Sequence, residues 1–234
     1  MDEYARENRL TSEEAGRTIR YAFFNKILED VGGGNIAVAH NKNDQAETLL
    51  MRFFRGTGLE GLKGMEYKSA NIIRPLLDVN REEIEKYCKD NNIAARIDRT
   101  NLEPIYGRNR TRLEVIPYIA KNYNKGIIDT LSRTSRLMQM DSEFILNIVE
   151  KKYKNIVVDE SQNSIVLNID RLKKEHYSIM SRVIRQSIEK INGSLKGIEE
   201  KHINNIIKLM EENTTGKSIN IINNIVIKTS YENM

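Results

Sequence analysis

The chain has 234 residues, with 37 Lys+Arg against 33 Asp+Glu and a formal net charge of +4. That length suits one large domain or two small ones with their own cores, and so mild a charge balance does not by itself call for a polyanionic partner. A single cysteine, Cys88, excludes an internal disulfide and a cysteine-rich metal site.

The first residues, "MDEYARENRL", are charged and carry no apolar signal region. No apolar run reaches the roughly 18 residues of a membrane span, so a soluble cytoplasmic protein is expected. "TSEEAGRTIRYAFFNKILED" reads as a helix capped by Thr11 or Ser12 with Glu14 nearby. Ile19, Phe23 and Ile27, flanked by Tyr21, Phe24 and Leu28, supply its apolar face. "VGGGN" then breaks the helix. A phosphate cradle follows a strand and opens a helix, whereas these glycines precede a strand, so they read as a turn.

"NIAVAH" is a short buried strand, and the next helix places Ala46, Leu49, Leu50, Phe53 and Phe54 on one face for packing against a sheet. "RGTGLEGLKG" is a glycine-rich loop, and "NIIRPLL" is a second strand stopped by Pro75. "VNREEIEKYCKDNNI" is a helix capped by Asn80, with Cys88 in step with Ile84 as a small core residue. Helix, strand, helix, strand, helix signals a layered α/β domain with a mostly parallel sheet. Two evident strands are few for such a sheet, so this half reads as a partial Rossmann-like domain.

"ARIDRTNLEPIYGRNRTRLEVIPYIA" runs from a turn-rich loop into a helix, and a long helical pattern begins at residue 127. "NIVVDESQNSIVLNI" reads as a hairpin turning at Ser161 to Asn163. One helical stripe follows through Ile179, Met180, Val183, Ile184, Ile188 and Ile191. Another runs through Ile198, His202, Ile203, Ile206, Ile207 and Met210, and a last hairpin turns at Asn223-Asn224. The change of character places a domain boundary between about residues 123 and 135, giving an α/β domain over 1–126 and a mainly helical domain with small hairpins over 127–234.

The chemistry concentrates where the first strand becomes a helix. In open α/β sheets, ligands bind at the carboxyl ends of strands, where helix N-termini aim their amides into the crevice. His40 ends the strand and Asp44 opens the helix. Asp44 as a simple cap and His40 as a structural histidine are the plainer readings. Groups suited to phosphate shift the balance: Arg55 in the glycine-rich loop, Arg74 at the end of the second strand, and three arginines in "GRNRTR". Residues 96 to 112 hold Arg96, Arg99, Arg108, Arg110 and Arg112 against Asp98 and Glu103, a local excess of +3 that suits a polyanion at this patch.

"AHNKNDQAETLLMRFFRGTGLEGLKGM" resembles the H-x-x-x-D-Q-x-E-T pattern and R-G-[TS]-G loop of the tRNA(Ile)-lysidine synthetases, in the PP-loop ATP pyrophosphatase superfamily. "IIRPLLDVNREEIEKY", "DRTN" and "YGRNRTRLEVIPYI" follow in that family's order, so the resemblance runs from about Glu13 to Ile119. The region after residue 130 is similar to the family's helical substrate-binding domain more loosely.

The resemblance implies an adenine nucleotide α hydrolase-like fold and a ligase that uses ATP and Mg²⁺. It implies activation of C2 of the wobble cytidine in the CAU anticodon of tRNA(Ile), with free L-lysine then displacing AMP to form lysidine. A homodimer is one possible assembly. By motif position, Asp44 is the expected catalytic or lysine-orienting carboxylate and metal ligand, supported by His40 and Glu47. Arg108 and Arg112 are expected to hold phosphate or RNA backbone, and Asn109 to fix the segment that presents them. Arg55 and Arg74 are weaker nucleotide-binding candidates, and Asp98 orients an arginine or turns its loop.

Two departures from the family pattern stand out. Asn43 occupies a position that is acidic in many relatives, and no S-G-G-x-D-S pyrophosphate loop occurs in these 234 residues. The chain is therefore expected to be a fragment that is catalytically silent alone. A PP-loop tRNA thiolase would need catalytic cysteines, which the solitary Cys88 disfavours. A non-catalytic tRNA-binding remnant is the other alternative, since it accounts for both the basic patch and the missing loop. A purely structural helical protein leaves the polar strand end unexplained.

Overall fold

The computed structural model describes residues 2–8, 10–94, 107–212, 216–222, 225–230 and 233–234. The chain divides into two compact units, Met1–Met140 and Asp141–Met234.

The first unit opens with α1 (Asp2–Glu7) and α2 (Ser12–Asp30). Thr11 is the cap of α2: its Oγ1 accepts from the Glu14 amide at 3.2 Å, while Glu14 Oε2 accepts from the Thr11 amide at 2.9 Å. The apolar face of α2 departs from expectation. Ile19, Phe23 and Ile27 are exposed, and the half-buried side carries Tyr21, Phe24 and Leu28 instead. At about 100° per residue these two sets occupy neighbouring sectors, so periodicity alone does not tell which one faces inward.

Gly32, Gly33 and Gly34 turn the chain with φ of 81°, 110° and 132°, a run of left-handed values that only glycine adopts readily. The sheet that follows is small. It comprises β1 (Ile36–Ala37), β2 (Lys68–Ser69) and β3 (Ile72–Ile73) in the order β1-β3-β2. β1 runs parallel to β3, as a βαβ connection requires, but β2 pairs antiparallel with β3. The β2–β3 hairpin is missing from the sequence-based expectation because its two-residue turn is Ala70-Asn71, with Ala70 at φ 50° in place of a glycine.

Helix α3 (Lys42–Phe54) buries Ala46, Leu49 and Leu50. Ala46 and Leu50 join Ile116 in a small core lined by Ile119, Ile127, Ile128 and Leu131. Phe53 and Phe54 continue the same face but do not share in it: on the last turn of α3 they are 63% and 60% exposed.

Two further helices, α4 (Leu59–Leu62) and α5 (Arg81–Asp90), follow; Asn80 caps α5, its amide donating to Glu83 Oε2 at 2.8 Å. The chain then forms α6 (Gly107–Arg110), a π-helical turn (Thr111–Val115) and α7 (Ile116–Asn122). Pro117, at the start of α7, accounts for the widened turn: its ring would meet the carbonyl of Leu113 in a regular α-helix.

Helix α8 (Ile127–Ile156) begins in the first unit and ends in the second. The second unit contains β4 (Val157–Glu160), β5 (Ile165–Leu167), α9 (Ile169–Lys173), α10 (Tyr177–Asn192), α11 (Glu200–Glu211), β6 (Ser218–Asn220) and β7 (Val226–Lys228). β4–β5 and β6–β7 are the two expected hairpins. The first turns through Ser161 and Ser164, and the expected turn at Asn223-Asn224 lies outside the described residues. The two helical stripes meet in one apolar core that includes Val183, Ile184 and Ile188 from α10 with Ile203, Ile206 and Met210 from α11. His202 is the exception: its Nδ1 accepts from the Glu199 amide at 3.0 Å and caps α11.

Candidate functional site

The first turn of α3 organises the polar cluster. Asn41, in extended conformation after the strand, is the cap. Its Oδ1 accepts from the Asp44 amide at 3.1 Å, and Asp44 Oδ2 accepts from the Asn41 amide at 3.0 Å. Asp44 is thus the third residue of a capping box, where the helix dipole favours negative charge. The Lys42 amide donates to Val79 O, and the Arg81 amide donates to Asn43 Oδ1, so the starts of α3 and α5 are tied together. Asn43 serves this junction.

Asp44 and Glu47 lie three residues apart on α3 and Arg108 and Arg112 four apart, so each pair projects from one helical side. The two pairs interlock. Asp44 Oδ1 accepts from Arg108 Nη2 at 3.0 Å and Arg112 Nη2 at 3.1 Å. Glu47 Oε2 accepts from Arg108 Nε at 2.8 Å and Arg112 Nη2 at 3.0 Å, and Glu47 Oε1 accepts from Arg112 Nε at 2.5 Å. The Glu47 side chain is 1% exposed, against 15% for Asp44. Burial opposes the charge on Arg112, but its hydrogen bond and charge pairing with Glu47, aided by Asp44, lift its pKa above the ordinary value. Asn109 is buried in α6 between Arg108 and Arg110.

His40 sits beside this cluster with its Nδ1 buried and without a hydrogen-bond partner. Burial lowers its pKa below the ordinary 6.5, and the nearby charges of Arg108, Arg74 and Arg17 act in the same direction against the opposing pull of Asp44. The ring is therefore neutral at pH 7.

Arg74 is buried at 7% exposure, and its Nη1 donates to Glu66 O at 2.7 Å. Arg55 is not part of the cluster: it caps the far end of α3, exposed, about 16 Å along the helix axis from Asp44 at 1.5 Å per residue. Asp98, Arg96 and Arg99 lie outside the described residues.

Other residues frame the site, and of these only Gln45, the glutamine of the H-x-x-x-D-Q-x-E-T pattern, is marked in the sequence. Gln45, 3% exposed, donates from Nε2 to Met65 O at 2.9 Å and to Ser135 Oγ at 2.8 Å, while its Oε1 accepts from the Met65 amide at 2.7 Å. Ser135 Oγ and Gln139 Nε2 both donate to Lys63 O at 2.7 Å. This clamp fixes the loop whose carbonyls, Gly61 O and Gly64 O, accept from Arg52 Nη1 at 3.0 and 2.8 Å. Gln45 follows Asp44 directly, on the buried side of the helix.

The expected Mg²⁺ does not fit at Asp44. Oδ1 already accepts from two guanidinium groups and Oδ2, which accepts from a backbone amide, keeps a single lone pair, and two adjacent positive charges repel a divalent cation far more than a monovalent one. Among the described residues no group of three His, Cys, Asp or Glu side chains is arranged to hold a metal ion, and no helix is long and apolar enough to cross a membrane.

The chain is similar to tRNA(Ile)-lysidine synthases from several bacteria. That of Clostridium acetobutylicum is 41% identical over 232 residues, 99% of this chain and 50% of that protein. The Clostridioides difficile protein is 39% identical over 228 residues, 97% of this chain and 49% of its own. The Geobacter sulfurreducens protein is 35% identical over 226 residues, 95% of this chain and 48% of its own. The chain therefore spans about half the length of the curated relatives it matches. The PP-loop domain family matches residues 1–119, which carry His40, the Asp44–Glu47–Arg108–Arg112 cluster and the short mixed sheet beneath them. By that match across half of its length, this chain belongs to the PP-loop family.

Proposed function

We propose that this protein modifies tRNA, ligating lysine to C2 of the wobble cytidine in the CAU anticodon of tRNA(Ile) to give lysidine, with release of AMP and pyrophosphate. The observation that carries this reading is the 41% identity to a tRNA(Ile)-lysidine synthase across 99% of the chain. Membership of the PP-loop family supports the use of ATP. Mg²⁺ would neutralise the phosphates of that nucleotide, away from the Asp44 carboxylate.

On this reading the chain's own residues handle the amine. Asp44, more exposed than Glu47, is the carboxylate that a lysine ε-ammonium can reach, and Oδ2 keeps a lone pair for it. Glu47, Arg108 and Arg112 hold Asp44 in place. An ammonium must lose a proton before nitrogen can attack, and the neutral His40 ring offers an acceptor beside Asp44. Outside its bonds to the two carboxylates, the arginine pair is the part of the site suited to the charge of RNA phosphate.

The test is lysine incorporation by the complete gene product that carries this sequence, supplied with ATP, Mg²⁺, labelled lysine and a tRNA(Ile) transcript bearing CAU. Label that enters tRNA only with ATP, and does not enter with Asp44→Asn, supports the reading. Binding of tRNA with no ATP-dependent label favours a non-catalytic tRNA-binding role instead.

A further inference from the structure

A second set of positive charges, outside the interlocked cluster, forms no ion pair among the described residues and is balanced only in part by the charge of Glu66. Arg52 is half-buried in α3, and its hydrogen bonds go to the carbonyls of Gly61 and Gly64. Arg74, 7% exposed, bonds to the carbonyl of Glu66, and its buried Nε has no partner. The three accepting carbonyls lie within six residues, Gly61 in α4 and Gly64 and Glu66 just after it, so both guanidinium groups are drawn to the same stretch of chain. Among the described residues neither forms an ion pair. The nearest acidic groups are engaged elsewhere: Glu66 pairs with Lys63 at 3.0 Å, and Asp44 and Glu47 hold Arg108 and Arg112.

Arg17, exposed on α2, adds a third charge. Burial lowers the pKa of Arg52, and the charges of Arg17 and Arg74 lower it further against the opposing pull of Glu66; the same two arginines act on His40. Such crowding of like charges is costly, and carbonyl dipoles offset it only in part. The cost is removed when an anion is bound. The three side chains differ in exposure, Arg17 exposed, Arg52 half-buried and Arg74 buried.

We propose that Arg17, Arg52 and Arg74 form an oxyanion site for a phosphate group, not shared with the Asp44–Glu47–Arg108–Arg112 cluster. The planar fork of a guanidinium matches two oxygens of such a group. Three cations favour a multiply charged phosphate over a single carboxylate. The phosphate belongs to a nucleotide tail or to an RNA backbone, which share this chemistry. The site stands on these contacts whichever reaction the protein performs.

Calorimetric titration of the protein with sodium pyrophosphate tests it. Saturable binding at one site is expected, weakened about tenfold or more by Arg52→Gln, which removes the charge while keeping a donor for Gly61 O and Gly64 O. Arg17→Gln, on the exposed surface, is expected to weaken binding less but measurably, so the test survives if Arg52→Gln fails to fold. Lys121→Gln, an exposed cation elsewhere in the first unit, is expected to change nothing. Displacement of pyrophosphate by ATP at lower concentration than by a short RNA assigns the site to a nucleotide, and the reverse order assigns it to RNA. No saturable binding, binding unchanged in both arginine variants, or displacement by neither competitor would overturn the proposal.

Discussion

Arg112 holds Glu47 through two hydrogen bonds, Nε to Oε1 at 2.5 Å and Nη2 to Oε2 at 3.0 Å, and the Glu47 side chain is 1% exposed. A buried pair of this kind is weak grounds for net stability, since both charges leave water to form it. Removing one partner is a different matter, because the other stays buried without compensation. Arg112→Met is expected to destabilise the protein by about 3 kcal/mol, the low end for such a break, because Arg108 still reaches Glu47. Replacing Arg112 and Glu47 together by Met and Leu is expected to cost less than Arg112→Met alone. Urea denaturation of the single and double variants measures the difference, and a double variant that loses the full sum would contradict this balance of charge.

Asp44 is expected to tolerate substitution less well than a helix cap would. As a plain cap, Asp44→Asn keeps an acceptor oxygen. Here, however, Oδ2 serves the Asn41 amide and Oδ1 serves two arginines, and an asparagine side chain satisfies only one of these sets. A loss of about 1–3 kcal/mol is expected, the cost of a charged hydrogen-bond partner. An unchanged melting temperature would show that the arginine contacts contribute nothing to folding.

Gly64 tests the clamp on the loop. At φ 66° a Cβ there would lie 2.6 Å from Ser135 Oγ and 2.8 Å from the Gln45 amide group, whereas at Gly56, φ 73°, it would meet nothing within 4 Å. Both Gly→Ala changes carry the left-handed backbone cost of about 1–2 kcal/mol. Gly64→Ala is expected to cost at least about 1 kcal/mol more, and also to broaden the amide signals of Gly61 to Glu66 in NMR spectra. Equal losses at the two glycines would mean that the Gln45–Ser135 contact yields freely.

His40 sets a pH dependence with a definite sign. Its folded pKa lies below the ordinary 6.5, so the neutral ring is favoured in the folded state and protonation favours unfolding. The stabilising contribution is complete above pH 6.5 and is lost as pH falls through the folded pKa. Stability measured from pH 7.5 down to 5.5 is expected to decline, and His40→Gln to flatten that decline. A slope unchanged in the variant would assign the effect to other groups.

The local parts of this site are legible in the sequence. The helix after the strand, the placing of His40 before it and Asp44 in its first turn, and the buried step from Ala46 to Leu50 all follow from spacing over a few residues, although the cap is Asn41 and Asp44 is the third residue of the capping box. Contacts between distant segments are not. Nothing in "GRNRTR" reveals that Arg108 and Arg112 turn to carboxylates 61 to 68 residues away. Arg52, between Met51 and Phe53 in an apolar run, gives no sign that it reaches the loop carbonyls. The β2–β3 hairpin is hidden for another reason, a turn that uses Ala70 where glycine is the usual signal. Phe53, Phe54 and the α2 stripe show the limit of periodicity: it finds apolar faces but not which of them is covered.

The most direct measurement of the proposed activity is nucleoside analysis by mass spectrometry of tRNA(Ile) with the CAU anticodon, isolated from cells in which the gene encoding this chain is silenced. Lysidine should disappear from the wobble position and unmodified cytidine take its place, with restoration by the intact gene but not by one carrying Asp44→Asn. Lysidine retained at its normal level after silencing, or loss of a thiolated nucleoside in its stead, would contradict the account.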